Sequence, residues 1–147
     1  MLKELKIYLA GKMSGLSHAE MINWRIEISK KLQKTVRFYN CNLDIINPVY
    51  YYNFEKQDYQ SDKEVKEFDL KHVVTSDIVI VNLDGLNTSD GTKYEISQAA
   101  RNHNIPIIAF GDKKLYDELH PWIRDDITRV EDDMDSVVTY ISNFYMK

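Results

Sequence analysis

Two carboxylates and one glycine-bearing loop are the features of this sequence best suited to chemistry. The first carboxylate is Glu95, in Asp90-Gly91-Thr92-Lys93-Tyr94-Glu95, where a loop rich in Asn, Asp, Gly, Ser and Thr gives way to a helix pattern. In the first turn of that helix the positive end of the macrodipole would hold Glu95 ionised, which suits a nucleophile. Thr92-x-x-Glu95 also reads as a capping box, in which the glutamate only satisfies a backbone N–H. The motif alone leaves both readings open. The second carboxylate is Asp69, four residues after Val65 and four before Val73, on their apolar stripe. Burial there is costly unless the group is paired, hydrogen-bonded or opens into a site; the plainer reading is a partly exposed edge. His72, one turn on, reads as a core histidine. The loop is Gly11-Lys12-Met13-Ser14-Gly15. Its glycines would let backbone N–H groups approach a ligand, and the helix start that follows favours an anion. The spacing fits neither the dinucleotide fingerprint nor the P-loop, and glycines here can serve a turn alone.

These residues need elements to hold them. Ile78 to Val81 is a short β-branched run apolar on both faces, as a doubly covered strand should be. A helix from near Thr92 follows, with Ile96, Ala99, Ala100 and His103 as its apolar side. Asn104 ends it, and Ile105 to Phe110 is a second buried strand. That βαβ unit implies a parallel sheet. Upstream, Leu5 to Ala10 is a strand. A helix from about Ala19 to Lys34 carries Met21, Ile22, Arg25, Ile26 and Leu32 at helical spacing, with Trp24 and Ile28 widening that face. Val36 to Tyr39 and Leu43 to Ile46 both look extended, and the second is taken as the buried strand, ended by Asn47-Pro48. The aromatic run Val49 to Phe54 either walls a pocket for a flat ring or packs down as a loop. A helix capped by Asp62 runs to about Thr75, with Val65, Phe68, His72 and Val73 as its buried side. Further on, Lys114 to Leu119 is a short helix, His120-Pro121-Trp122 a turn, and Ile127 to Val130 an edge strand. A last helix runs from near Asp132 through Tyr145, its acidic start a solvated cap rather than a metal site. The alternation predicts one α/β domain over residues 1–147, a flavodoxin-like, Rossmann-like three-layer sandwich with a five-stranded parallel sheet in the order 2-1-3-4-5.

At 147 residues, 29% charged and 44% hydrophobic, the chain has the balance of an ordinary soluble domain. Its formal net charge of -4 argues against a nucleic acid polymer as partner, since phosphate neutralisation needs a basic face. The single cysteine, Cys41, rules out an internal disulfide and offers no zinc site. No stretch has the length of a membrane span and no signal-peptide pattern opens the chain, so a cytoplasmic setting is expected.

Taken together, Ile7-Tyr8-Leu9-Ala10-Gly11, the helical Asp69 ahead of Asp77, the strand Asp77 to Val81 and Asp90-Gly91-Thr92-x-x-Glu95 followed by Ala99 resemble the nucleoside 2-deoxyribosyltransferase family and its deoxynucleoside monophosphate N-glycosidase relatives. The resemblance spans most of the chain and implies a specific chemistry. Glu95 would attack C1′ of the deoxyribose, Asp69 and Asp90 would handle the base and its proton, and Tyr8 would lie against the nucleophile. Gly11, Ser14 and Gly15 would lie by the sugar or its 5′-phosphate, with Gly91 and Thr92 completing the substrate contacts. It implies no cofactor, no metal, a small nucleoside or nucleotide as substrate, and a homodimer or higher homo-oligomer. The alternatives weighed are an NAD glycohydrolase resembling TIR domains and a nucleotide-binding module without turnover. A redox flavodoxin fits less well, because the first loop lacks a Ser/Thr run for the flavin phosphate.

Overall fold

Five strands pair in parallel in the computed structural model, which describes residues 2–52 and 56–147. Along the chain they are β1 (Lys3–Ala10), β2 (Cys41–Ile46), β3 (Ile78–Asn82), β4 (Ile107–Phe110) and β5 (Arg129–Glu131). Their order across the sheet is β2-β1-β3-β4-β5, as the alternation predicted. The helices are α1 (His18–Val36), α2 (Asp62–Val74), α3 (Asp90–His103), α4 (Lys113–Asp117), α5 (Pro121–Asp126) and α6 (Met134–Tyr145). Alternate residues of each strand face opposite layers. Leu5, Ile7, Leu9, Ile78, Ile80 and Ile108 pack with Ile28 and Leu32 of α1 and with Val137 and Ile141 of α6. Tyr8, Ala10, Val79, Val81, Ile107 and Ala109 share the other layer with Val73 of α2 and with Ile96 and Ala99 of α3. Every residue of β3 is buried, the pattern of a strand with helices on both sides.

Several element ends differ from the sequence expectation, each for a local reason. Val36 to Tyr39 is not extended: Val36 completes α1 inside the core, and Tyr39 donates its N–H back to the Val36 carbonyl. The N-cap of α2 is Ser61, not Asp62, and Ser61 and Glu64 form a capping box. Phe68 of α2 is 43% exposed rather than buried, because it packs sideways against Tyr51, Tyr52 and His72. His103 is exposed too, since the apolar face of α3 ends before it. β4 begins at Ile107, after Pro106, which has no N–H to give and instead accepts from the Val79 N–H. The expected turn at His120-Pro121-Trp122 opens α5, with Pro121 at its start and the His120 ring accepting from the Trp122 N–H. Asn104 ends α3 as expected, in the left-handed region that asparagine tolerates. Asn53 and Phe54, the end of the aromatic run, lie outside the described residues.

Candidate active site

β1 and β3 are neighbours whose connections leave in opposite directions across the sheet, and the crevice beyond their carboxyl ends is where an open α/β sheet leaves room for a ligand. A cleft of about 720 Å³ opens there. Gly11 to Ser14 after β1 form one wall, and Thr88 to Thr92 at the start of α3 form another. Tyr52, Tyr59, Val65 and Asp69 close a third side, and Glu95 reaches the lining from α3.

Glu95 is not a capping residue. Ser89 is the N-cap of α3: its side chain accepts from the Thr92 N–H, and its hydroxyl lies 2.7 Å from that of Thr92. The helix therefore begins at Asp90, and Glu95 stands in the second turn rather than at the dipole's positive end. Its Oε2 is out of contact with solvent and has no hydrogen-bond partner. Burial pushes this carboxyl up to about 8, where the sequence expectation was a carboxylate held ionised. The Tyr8 hydroxyl, in hydrogen-bonding contact with the carboxylate, and the Arg25 guanidinium oppose the rise, while Asp69 adds to it.

Tyr8 reaches Glu95 because even-numbered β1 residues face α3; it is 1% exposed. Burial and the neighbouring Glu95 and Asp69 carboxylates raise its phenol well above the ordinary tyrosine range, so it stays a hydrogen-bond donor. Asp69 is half-buried on α2, and the Tyr52 hydroxyl donates to its Oδ1. Burial raises the Asp69 carboxyl, against the pull of that hydrogen bond and of His72 and Arg25. Tyr52 meets Tyr59 edge-on, ring centroids 6.0 Å apart, so two aromatic rings line the cleft beside Asp69.

Asp69, Glu95, Gly11, Ser14, Gly91 and Thr92 therefore share one cleft, with Tyr8 beneath it. Asp90 also lines this cleft, at its rim, with its side chain fully exposed and 3.6 Å from Lys93 Nζ. Gly15 is not among the lining residues; it turns the loop with φ 78°. Thr92 is buried, and its hydroxyl is engaged at the helix start. Sequence reasoning passed over Tyr59 altogether and counted Arg25 in an apolar stripe. An arginine flanked by Met21, Ile22 and Ile28 was the available signal, since such a charge is rarely buried without a purpose. Among the described residues no cluster of His, Cys, Asp and Glu could hold a metal ion, and no helix is long and apolar enough to cross a membrane.

No family model and no curated protein sequence matches the chain. Solved structures do. A conserved protein from Enterococcus faecalis V583 superposes with a TM-score of 0.72 at 18% identity, over 97% of this chain and 99% of that one. A 2-deoxyribosyltransferase from Bacillus psychrosaccharolyticus superposes with a TM-score of 0.58 at 20% identity, over 92% and 91% of the two chains. A CMP N-glycosidase from Clostridium botulinum has a TM-score of 0.49 at 14% identity, over 95% and 99%, a likeness too loose to bear on the fold. The chain thus shares its α/β architecture, nearly end to end, with a deoxyribosyl-transferring enzyme.

Proposed function

We propose that this protein cleaves the N-glycosidic bond of a deoxynucleoside or its monophosphate, with Glu95 as nucleophile at C1′ and transfer of the deoxyribosyl group to another base or to water. The observation that carries the reading is the Glu95 Oε2, buried in the cleft without a partner. A desolvated anionic oxygen with no hydrogen bond is costly while the site is empty. That cost is offset when positive charge develops on a sugar carbon placed against it, which is stabilisation gained chiefly in the transition state. Glycosidic cleavage proceeds through such an oxocarbenium-like state.

In this reading Tyr8 donates to the other oxygen of Glu95 and leaves Oε2 free for C1′. As the C1′–N bond breaks, its electron pair goes to the base nitrogen, which takes the proton of Asp69. The productive state therefore has Glu95 ionised and Asp69 protonated, one proton shared by the pair. A base stacked beside Tyr52 and Tyr59 would exclude water from Asp69 and favour that state. Water or an acceptor base then attacks C1′, returns its proton to Asp69 and frees Glu95. Gly11 to Ser14 would receive the sugar or its 5′-phosphate. The fold shared with the B. psychrosaccharolyticus enzyme supports this reading without deciding it.

The test is chromatography of protein incubated with deoxynucleosides, deoxynucleoside monophosphates, ribonucleosides and NAD, each with and without an acceptor base. Free base from deoxy substrates is expected, with the rate falling as pH rises through about 8, where the carboxyl pair gives up the one proton that Asp69 must hold. Glu95→Ala should lower turnover by on the order of 10⁴-fold or more. Cleavage of NAD alone would favour the TIR-like alternative. Ligand-induced thermal stabilisation without product would favour a binding module.

A further inference from the structure

Arg25 is 0% exposed, and among the described residues it is the only lysine or arginine that is buried. A buried guanidinium usually sits against a carboxylate, yet among the described residues none lies within ion-pair reach of this one. Its donors go to three backbone carbonyls instead: Nε to Leu9 at 3.2 Å, Nη1 to Met21 at 2.5 Å and Nη2 to Gly11 at 3.1 Å. Leu9 lies one residue before the end of β1, Gly11 opens the loop that lines the cleft, and Met21 belongs to α1. The guanidinium also lies 4.5 Å from the Trp24 ring centroid. A Cβ at Gly11 would come within 2.7 Å of Trp24 Cζ2 and 3.4 Å of Arg25 Nη2, so the loop is seated directly on this pair.

We propose that Arg25 is a positioning residue of the cleft: its guanidinium ties the glycine-bearing loop to α1 and supplies the buried positive charge against which Glu95 ionises. The proposal rests on the reading of Glu95 as the reacting carboxylate. Carbonyl dipoles hold the guanidinium in place without neutralising it, as a carboxylate would. Its charge therefore acts across the end of β1 on the acidic groups of the other layer. Those groups are Tyr8 of β1, Asp69 of α2 and Glu95 of α3, each of which interacts with Arg25, with Tyr52 bound to Asp69. Burial draws Arg25 itself down only to about 10, so it remains charged at neutral pH. Lys93 and Asp90, the charged residues of α3 nearest in sequence to Glu95, pair with each other at the rim. With Glu95 and Asp69 both ionised the interior would carry two negative charges against this single positive one.

The test reads ionisation directly and needs no turnover. Side-chain carboxyl carbons of ¹³C-labelled glutamate are followed by NMR across pH, and the Glu95→Gln spectrum identifies the Glu95 signal. In folded Arg25→Gln the Glu95 midpoint should move up by about one pH unit or more. In Arg25→Lys, which keeps the charge and loses the fork, it should stay close to that of the unmodified protein. A reciprocal measurement leaves Arg25 in place in case its variants fail to fold. The Arg25 Nε–H resonance should titrate with the Glu95 midpoint, and Glu95→Gln should abolish that step. An unmoved Glu95 midpoint in folded Arg25→Gln, or a flat Arg25 Nε signal through the Glu95 titration, would overturn the proposal. If nucleosides are not cleaved while these titrations behave as expected, the nucleophile reading fails and Arg25 keeps its electrostatic role.

Discussion

Glu95 stands where a carboxyl is least easily ionised, and that has a consequence for stability. Its native value of about 8 lies well above the unfolded value near 4.3. Below about pH 4 both states bind the proton. Between there and about pH 8 the native state keeps a proton that the unfolded chain has released, so this group's contribution to stability falls as pH rises and levels off above 8. Glu95→Gln, neutral at every pH, escapes that loss. Thermal melts should find it more stable than the unmodified protein at pH 8.5, by on the order of 2 kcal/mol, with the gain shrinking towards pH 5. A variant less stable at both pH values would mean that Glu95 is not held in its protonated form. The sequence pointed to Glu95 but put it in the first turn of α3. The loop before it offers many side chains able to cap a helix, and Ser89 took that place, which set Glu95 one turn deeper and buried it. Arg25 was hidden for the opposite reason: its spacing matched the apolar stripe so well that its charge drew no separate reading.

At the scale of elements, the cleft depends on how closely the loop after β1 approaches α1. Gly11→Ala would drive a methyl into the Trp24 ring. It should destabilise the fold by about 1–3 kcal/mol, as overpacking does, and weaken substrate binding with it. Gly91, in the first turn of α3, has open space where a Cβ would stand, with nothing within 4 Å, and no positive φ. Gly91→Ala should therefore gain roughly 0.5–1 kcal/mol from reduced chain entropy. Denaturant unfolding of the two variants checks the pair, and a harmless Gly11→Ala would contradict the seating described for the loop. The βαβ unit from Ile78 to Phe110 was legible because a strand buried on both faces and an amphipathic helix leave distinct periods. α5 was not, because six residues show no period and only Pro121 marks their start. The end of α1 was obscured by Val36, a β-branched residue that reads as strand until core packing decides otherwise.

For the whole molecule, the strand order was readable from the alternation of elements and the rule for parallel crossovers. It leads to the crevice beyond β1 and β3, where Asp69 from α2 meets Glu95 from α3, residues 26 apart in sequence and on different helices. No local pattern could show that meeting; it follows from the layer that α2 and α3 share against the sheet. The same architecture hosts many chemistries, so fold likeness to a deoxyribosyltransferase leaves the reaction to be decided at the carboxylate. The most direct measurement is the intact mass of the protein, acid-quenched during incubation with a deoxynucleoside and compared with Glu95→Gln. A covalent nucleophile predicts an added deoxyribosyl group, mapped by peptide digestion to the segment carrying Glu95 and absent from the variant. Release of free base with no adduct on Glu95, and with turnover retained by Glu95→Gln, would contradict it.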